Sequence, residues 1–519
     1  MATPPVLPTG ANATALARLY SVRPVWSGVG CAAEAIGLPA MTLLHAGPPF
    51  RDVHRPSVPV LASAVLCCLH EGWAHDEAGA EAMLRDGRVT LRSAQDFAVV
   101  TPLAAVISPS TTLVQISDAR ALATPSTWSL LGSGHGPQLR FGTRNPAILP
   151  RLRWRDGRLR EVFAALLDEA PIDLFDLAIS GLEIGDDLHS STTGATHALH
   201  AQLQRRLKDA DDVLDMLAQT PLFFLTLWMG ACQLMLNATV GCGARLVVGI
   251  AGNGEDIGVR LADAPGHWLI QPAPTPQGPR LLAGCASPML GDSGVIDAAG
   301  FGAQAWSSAL AVAQPMRPWL PGESSSAQAW QVGEHPLFSR FGLSSAVDAG
   351  AIDVSRGAPR VAIAMLDRDG QKGLLGRGVC MTSPASFGAS SAVGPEINQS
   401  TAWEQFNEAF ERYEHALTSN DLSTLDELFW HSPHTVRYGA SEHLYGIDAI
   451  REFRQGRSAK GLERRIVERS LTTFGADFAV ANMVFARDGK PYLGRQTQSW
   501  AKIAGHWRIV AAHVSWSDA

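Results

Sequence analysis

The chain has 519 residues, which is more than a single hydrophobic core usually holds, so two or three domains are expected. Hydrophobic residues make up 46% of it and charged residues 18%, a balance typical of packed globular proteins and not of disordered ones. The net charge of -7 gives no electrostatic reason to expect a nucleic-acid or membrane partner, although local arginines can still bind small anions.

The seven cysteines are scattered, odd in number and without CxxC spacing. A disulfide framework or a zinc site is therefore not expected, and a cytoplasmic location is the default. The first residues contain no basic stretch followed by an apolar core, so no signal peptide is predicted. Gln233 and Asn237 interrupt the longest apolar run, 222–240, which favours a buried helix over a membrane span. We expect neither a metal ion nor a cofactor.

Helical and strand patterns alternate through the first 388 residues, with glycine-rich turns between them. Helices are predicted at 59–69, 76–85, 173–182, 195–214 and 221–238, and buried strands at 246–250 and 360–365. This alternation predicts a multi-layer α/β region over residues 1–388, formed by one domain or by two subdomains.

Seven polar residues of this region lie in predicted turns, where functional groups concentrate. These candidate site residues are His45, Glu71, Arg140, Asp186, His189, Asn253 and Asp292. Nearby glycines let backbone N–H groups approach an anion, but no GxGxxG or P-loop spacing is present. Asp186, Asp187 and His189 suit either a metal ion or, more commonly, a helix cap. Asp292 is at least as well explained as a turn residue as a catalytic one.

The same region resembles the YlbE/AllG-like family, a subunit of oxamate carbamoyltransferase. The matching segments are 43–49, 71–74, 140–142, 185–186 with His189, 253–254, 272–278 and 291–293. The resemblance implies partner subunits, one of them acyl-CoA-synthetase-like. One segment departs from the family, because 364–367 reads Ala-Met-Leu-Asp where the family has Ala-His-Lys-Glu. If that basic pair handles phosphate or carbamoyl groups, the transferase activity is in doubt here.

A Pro-, Gly- and Ser-rich stretch ends this region, and a linker is predicted at 389–400. In the segment after it, 401–519, aromatic residues recur at steps of three and four from Trp403 to Leu417, which predicts one long helix. Short helices are predicted at 421–429 and 447–454, and strands at 435–438, 464–474, 478–486, 492–503 and 507–514. Helices followed by a strand meander predict a small α+β cone, in which Tyr413 points into the cavity.

Arginines, a tyrosine and a histidine of this segment suit a pocket for a small planar anion. Period-two alternation places Arg437 on the strand face opposite Val436 and Tyr438. An arginine binds a carboxylate through two parallel hydrogen bonds, a tyrosine can donate a proton, and His513 can serve as a base. Each also has an ordinary structural explanation, as a salt-bridged arginine, a core tyrosine or a structural histidine.

Residues 401–518 resemble the AtzH-like family of SnoaL-type α+β cones, which includes a dicarboxyurea amidohydrolase. The matching segments are 409–417, 428–430, 435–439, 444–448, 494–496 and 507–515. The family's active-site tyrosine and arginine fall on Tyr413 and Arg437. The resemblance implies metal-free hydrolytic deamination of a carboxylated urea, with Arg437 binding a carboxylate and Tyr413 activating the urea carbonyl or the leaving nitrogen. We add His513 as a catalytic candidate and further substrate-binding candidates: Phe429, Trp430, Tyr438, Arg495 and Trp500.

Two interpretations remain open. In the first, the chain is an enzyme of ureide or carboxyurea nitrogen catabolism, in which a carbamoyltransferase-like domain is fused to an amidohydrolase domain. Its substrate is a small anionic urea of the dicarboxyurea, allophanate or oxalurate type. In the second, the chain is a non-catalytic assembly subunit of a multi-subunit oxamate carbamoyltransferase, and the cone is a dimerisation or ligand-binding module. A homodimer is expected in either case.

Overall fold

The computed structural model describes residues 10–121, 125–320, 330–353, 357–388, 397–458 and 460–518. The chain divides into two compact units, residues 1–390 and 391–519. The seven cysteines are all free thiols. Within the described residues, no helix combines the length and the apolar character that crossing a membrane would require.

Helices in the first unit surround short sheets, and one helix is central. The α-helices are α1 (Ala11–Ser21), α2 (Ala32–Ala35), α3 (Val58–His70), α4 (Glu77–Arg85), α5 (Ile148–Trp154), α6 (Arg160–Glu169), α7 (Leu174–Glu183), α8 (Thr193–Gln204), α9 (Asp211–Ala218), α10 (Phe224–Asn237), α11 (Gly294–Ala298) and α12 (Leu310–Ala313). Every residue of α10 up to Leu236 is buried, which explains its almost uninterrupted apolar sequence. The single helix predicted at 195–214 is wrong: α8 and α9 are separate, since Asp209 has a positive φ of 59° that an α-helix does not accommodate.

The strands of the first unit form a mixed set of sheets. They are β1 (Pro24–Cys31), β2 (Thr42–His45), β3 (Thr90–Ser93), β4 (Val99–Val100), β5 (Thr112–Asp118), β6 (Thr127–Leu130), β7 (Ile172–Asp173), β8 (Val247–Asn253), β9 (Asp256–Leu261), β10 (Ala264–Pro272), β11 (Leu290–Gly291), β12 (Gln331–Val332), β13 (Ala346–Val347), β14 (Arg360–Leu366) and β15 (Leu374–Met381). A five-stranded sheet has the order β4–β6–β5–β1–β7, and a four-stranded sheet has the order β10–β9–β8–β11. Helix α10 packs against both sheets, which confirms the predicted multi-layer α/β class.

The second unit is the predicted α+β cone. Its helices are α13 (Ser400–Ser419), α14 (Leu422–Leu428) and α15 (Ile447–Gly456). Its strands are β16 (Val436–Tyr438), β17 (His443–Tyr445), β18 (Arg465–Phe474), β19 (Phe478–Ala486), β20 (Tyr492–Ile503) and β21 (His506–Asp518). They form one sheet in the order β17–β16–β21–β20–β19–β18, antiparallel except for β16 and β21. The aromatic stripe of α13 is buried against this sheet.

The segment predicted as a linker, 389–400, is only partly within the structure. Residues 389–396 lie outside the described residues. Ile397 pairs with Phe474, and the Asn398 side chain accepts a hydrogen bond of 2.9 Å from the backbone N–H of Thr473. Helix α13 then begins at Ser400. Residues 397–400 therefore belong to the second unit, and the predicted linker extends too far.

Candidate functional site

The inner face of the second unit's sheet is partly polar. Arg437 on β16 pairs with Ala512 on β21, and Ala512 pairs in turn with Gln498 on β20. Gln496 and Gln498 are both buried on this face. Because alternate residues of a strand point to the same side, these residues face the helix α13 together. Arg437 thus lies on the face predicted from its alternation, opposite Val436 and Tyr438.

Tyr413 is the residue of α13 that meets this polar face. Its side chain is buried, and its ring lies 6.4 Å from that of Phe429 and 6.2 Å from that of Trp500, measured between centroids. Its hydroxyl is 3.4 Å from Nε2 of Gln496. The aromatic surroundings restrict the ring, so the hydroxyl has a defined position beside the polar groups of the sheet.

Gln496 is oriented by an ion pair behind it. Arg464 donates from Nη1 to Oε1 of Gln496 at 2.9 Å, and from Nε to Glu414 at 3.0 Å. A guanidinium can only donate, so the oxygen of the Gln496 amide must face it. The amide nitrogen then donates to the oxygen of Tyr413. The tyrosine proton is consequently available to a ligand.

Arg437 is held by a carboxylate that sequence reasoning missed. Its Nη1 donates to Oε1 of Glu442 at 2.5 Å, and its guanidinium lies 5.0 Å from the ring centre of Phe453. Burial raises the pKa of Glu442, but the hydrogen bond and charge of Arg437 outweigh it, so the pKa is lowered overall. Glu442 precedes the short strand β17, which no sequence pattern indicated.

Two further arginines, also missed, come from α15 and the residue after it. Arg454 is buried, donates to the backbone oxygen of Leu425 at 3.1 Å and lies 4.1 Å from the ring centre of Phe429. Burial lowers its pKa to about 10. The pKa of Arg457 is also lowered, first by burial and then by the charge of Arg437. Their i, i+3 spacing places both on one side of the helix, and this spacing was the available sequence signal.

The Arg457 donors are the most unusual feature of this site. Its Nε and Nη2 are buried and have no hydrogen-bond partner within the described residues. Both Arg454 and Arg457 interact electrostatically with Tyr413. Buried charged donors are normally paired, so these donors make this the candidate position for an anionic ligand.

The charges around Tyr413 do not balance. Arg437, Arg454 and Arg457 share the single carboxylate of Glu442, because Asp426 is already paired with Arg451 at 2.7 Å. Arg487 adds a further charge near Arg457 that is unpaired within the described residues, whereas Arg464 is neutralised by Glu414. Positive charge therefore exceeds negative charge in a water-poor environment, where a small dianion would be held more strongly than at an exposed surface.

Three of the predicted site residues lie on the other face of the sheet. His513 pairs with Tyr438 and with Thr497, and it is exposed. Arg495 is exposed and donates to the backbone oxygen of Trp516 at 3.4 Å. The prediction that Tyr438, Arg495 and His513 line the pocket is therefore wrong. Each occupies a strand position one residue away from an inward-facing one, and a shift of one residue exchanges the faces.

Residues 494–496 show how consecutive residues of β20 point to opposite faces of the sheet. Gly494 points inward, where a Cβ would lie 2.2 Å from the ring of Phe485. Arg495 points outward, and Gln496 points inward again to Tyr413. Of the other predicted lining residues, Phe429 and Trp500 do contact Tyr413, whereas the ring of Trp430 stacks on His434 at 6.3 Å.

In the first unit, two of the seven candidate residues, Asn253 and Asp292, bind the turn that follows a third, His45. Asp292 accepts hydrogen bonds from the backbone N–H of Gly47 at 3.0 Å and of Thr101 at 2.8 Å. Asn253 donates to the backbone oxygen of Pro48 at 3.0 Å, and His45 lies just before that turn. Burial lowers the pKa of His45 to about 4 and raises that of Asp292 to about 6. These buried hydrogen bonds hold the 45–48 turn against β8 and the end of β11.

A second network contains the Asp186, Asp187 and His189 group. Asp186 accepts from the backbone N–H groups of Gly194 and Ala195 at 2.8 and 3.1 Å, at the start of α8. Asp187 accepts from the indole of Trp306 at 2.9 Å. These contacts correspond to the helix-cap explanation. Across the described ranges, no group of three or more His, Cys, Asp and Glu side chains is arranged to hold a metal ion.

His189 belongs to the second network, where its Nδ1 lies 2.7 Å from Asp297. The last two candidates, Glu71 and Arg140, lie apart from both networks. Glu71 accepts hydrogen bonds from the backbone N–H and the hydroxyl of Ser110 at 2.8 and 2.5 Å. Arg140 lines a separate pocket. The seven residues therefore do not form one site, contrary to their grouping from the sequence.

The fold and the candidate site of the second unit define a protein in which an α/β unit precedes an α+β cone. Family models match as "AtzH-like" over residues 395–519 and as "Oxamate carbamoyltransferase subunit AllG" over 89–293. The chain is 31% identical to oxamate carbamoyltransferase subunit AllG of Escherichia coli K12 over 318 residues, which are 58% of this chain and 75% of that protein. The chain therefore belongs to the AllG family, and its C-terminal unit is AtzH-like, as both resemblances indicated.

Two other proteins are similar over longer stretches. The uncharacterized protein YahG of Escherichia coli K12 is 26% identical over 410 residues, which are 73% of this chain and 84% of that protein. A crystal structure of a conserved protein of unknown function from Enterococcus faecalis V583 covers 73% of this chain and 95% of its own, with 22% identity and a TM-score of 0.67. That structure shows the same fold over the matched part of the chain.

Proposed function

We propose that the second unit is an amidohydrolase that cleaves a C–N bond of a small carboxylated urea of the dicarboxyurea, allophanate or oxalurate type. The observation that carries this proposal is the pair of unpartnered, buried Arg457 donors beside Tyr413. The AtzH-like character of this unit supports the same chemistry.

The carboxylate of the substrate would bind Arg457, whose planar guanidinium matches it with two parallel hydrogen bonds. A second carboxylate would be balanced by Arg454 and the remaining donors of Arg437. These contacts would use the excess positive charge of the pocket. A dianionic urea is therefore favoured over a neutral one.

Tyr413 would supply the proton in the reaction. Water adds to the urea carbonyl carbon, the C–N bond breaks, the leaving nitrogen departs with a proton, and the proton lost by the water returns to Tyr413. The Tyr413 hydroxyl, whose oxygen already accepts from Gln496, can donate to the carbonyl oxygen or to that nitrogen. His513 has no part in this proposal, because it lies on the exposed face of the sheet.

For the first unit, we propose a role as a subunit of a carbamoyl-transferring assembly. Its membership of the AllG family supports this role, since that relative is named as a subunit of oxamate carbamoyltransferase. The non-catalytic alternative for the whole chain requires a stable complex with acyl-CoA-synthetase-like subunits. Co-purification of the full-length chain with such subunits would support it.

Turnover by purified full-length protein tests the hydrolase proposal. Freshly generated dicarboxyurea, allophanate and oxalurate would each be incubated with it, and substrate loss and ammonia would both be followed. We expect consumption of at least one of the three. Stability of all three in the presence of the protein would contradict the proposal and favour the assembly role.

A further inference from the structure

A small pocket of about 30 Å³ lies within the first unit, beside the end of β6. Its wall includes the side chains of Gln138, Arg140, Arg155 and Phe223, and the loop at Gly132 and Gly134. Phe223 comes directly before α10, so the positive end of that 14-residue helix also contributes to the wall.

Arg140 has no counter-charge. Its guanidinium lies 5.1 Å from the ring centre of Phe141, and its Nε is fully buried without a partner. Within the described part of the chain it makes no ion pair and no side-chain hydrogen bond. Burial alone lowers its pKa to about 10. The side chain as a whole is half-buried, and its buried Nε has no partner among the described residues, so a ligand that neutralises the guanidinium would bind favourably.

The neighbouring arginine is already neutralised. Arg155 forms two hydrogen bonds of 2.7 Å with Asp156. Asp156 also accepts from the backbone N–H of Thr112 at 2.8 Å and contacts His70 at 3.0 Å. The pocket therefore has one unbalanced positive charge, that of Arg140. Arg155 also begins a π-helical turn, Arg155–Leu159, a distortion that is frequent at functional sites.

The glycine loop of the pocket is held in place before any ligand arrives. Arg151 donates to the backbone oxygens of Ser133, at 2.7 Å, and of His135. Gly134 has a φ of 88°, and a Cβ there would lie 2.7 Å from the side chain of Met216. The loop thus has a fixed conformation that a residue other than glycine would disturb.

We propose that this pocket binds the carboxylate of a small organic acid, with Arg140 as its counter-ion. The volume holds about two water-sized groups, which matches a carboxylate. A single unbalanced charge favours a monoanion over phosphate. Gln138 also lines a neighbouring cleft of about 440 Å³ that includes Arg144 and Lys372, where the rest of the acid would extend. This site is independent of the proposed hydrolase site.

Titration calorimetry of the full-length chain with acetate, pyruvate and inorganic phosphate tests the site. All proteins would carry Arg457→Met, so that the pocket of the second unit does not contribute. Arg140→Met would be compared with Arg153→Met, which changes an exposed arginine nearby. We expect Arg140→Met to weaken carboxylate binding at least tenfold and to raise the unfolding temperature of the ligand-free protein. Arg153→Met should change neither.

Three results would overturn the proposal. The first is unchanged carboxylate binding in Arg140→Met. The second is a lower unfolding temperature of ligand-free Arg140→Met, which would make Arg140 a structural residue. The third is tighter binding of phosphate than of both carboxylates, which would show that the pocket is not a carboxylate site.

Discussion

The direction of the Tyr413 hydroxyl proton depends on hydrogen bonds that link four side chains, including its own. Glu414 balances the charge of Arg464, Arg464 orients the Gln496 amide, and the amide donates to the tyrosine oxygen. Each step follows from which groups can only donate or only accept. The chemistry of the site therefore depends on the direction of each hydrogen bond as well as on the residue types.

Gln496→Glu should change that direction without removing the side chain. A carboxylate would still accept from Arg464, but it would also accept from Tyr413 and turn the tyrosine proton away from the substrate. We expect kcat to fall by about a hundredfold, the scale at which a positioned acid contributes, with a much smaller change in KM. Steady-state kinetics would show this, and an unchanged kcat would contradict the assigned hydrogen-bond direction.

Arg457→Met should separate binding from folding. Because its donors are buried without partners, replacing the charge should not lower the unfolding temperature of the ligand-free protein. The KM for a carboxylated urea should rise about tenfold, the effect of losing a charged hydrogen bond. Arg465→Met, at an exposed position, is the matched control. A less stable protein with an unchanged KM would identify Arg457 as a structural residue.

At the scale of helices and strands, the periodicity of the sequence was most informative. It predicted α13 with Tyr413 on the buried stripe, and the positions of β18, β19 and β20 to within one residue. These features depend on local repeats of 3.6 and 2 residues. Periodicity cannot tell which face of a strand is the inner one, since that depends on pairing register. His513 was misplaced for this reason.

Substitutions on the outer face of the sheet test the pairing register of β20 and β21. His513→Ala and Arg495→Ala change exposed residues that pair with Thr497 and Ser515 on the side away from Tyr413. We expect kcat/KM of each variant to stay within about twofold of the wild type, as for most surface changes. A loss of about a hundredfold in His513→Ala would place reacting groups on the outer face and contradict the site described above.

Residues that meet only through tertiary structure were not predictable from the sequence. Asp292 contacts Gly47 across 245 residues, and His189 contacts Asp297 across 108. Grouping seven turn residues into one N-terminal site therefore failed, although each does lie at a turn or an element end. Glu442 and Arg457 were missed in the second unit because neither belongs to a long periodic element.

At the scale of the whole molecule, the two units have separate hydrophobic cores and match different family models. The first unit belongs to the AllG family and buries several titratable side chains. The second is AtzH-like and keeps a surplus of positive charge around Tyr413. The two units should therefore respond differently to pH and to small anions.

Acid should destabilise the first unit through His45. Burial lowers its folded-state pKa to about 4 from 6.5, so between these values the unfolded chain binds a proton that the folded chain does not. Stability should fall as pH drops through this window, by about 3 kcal/mol. Asp292 acts in the opposite direction, because its pKa of about 6 means that the folded state binds a proton first. His335, whose pKa is also lowered to about 4 by burial, adds to the loss.

Denaturant unfolding between pH 7.5 and 4.5, followed by tryptophan fluorescence, would measure this dependence. His45→Gln should show a shallower loss of unfolding free energy than the wild type, since glutamine does not titrate. Equal slopes for the two proteins would mean that His45 becomes protonated without unfolding, against the burial seen here.

The most direct test of the central claim compares two tyrosines in the full-length chain. Tyr413 is buried beside the arginines, whereas Tyr445 is 64% exposed on β17. Turnover of dicarboxyurea and oxalurate should fall at least about a hundredfold in Tyr413→Phe and remain near the wild-type rate in Tyr445→Phe. Equal turnover in wild type and Tyr413→Phe would contradict the claim that the inner pocket of the cone is the catalytic site.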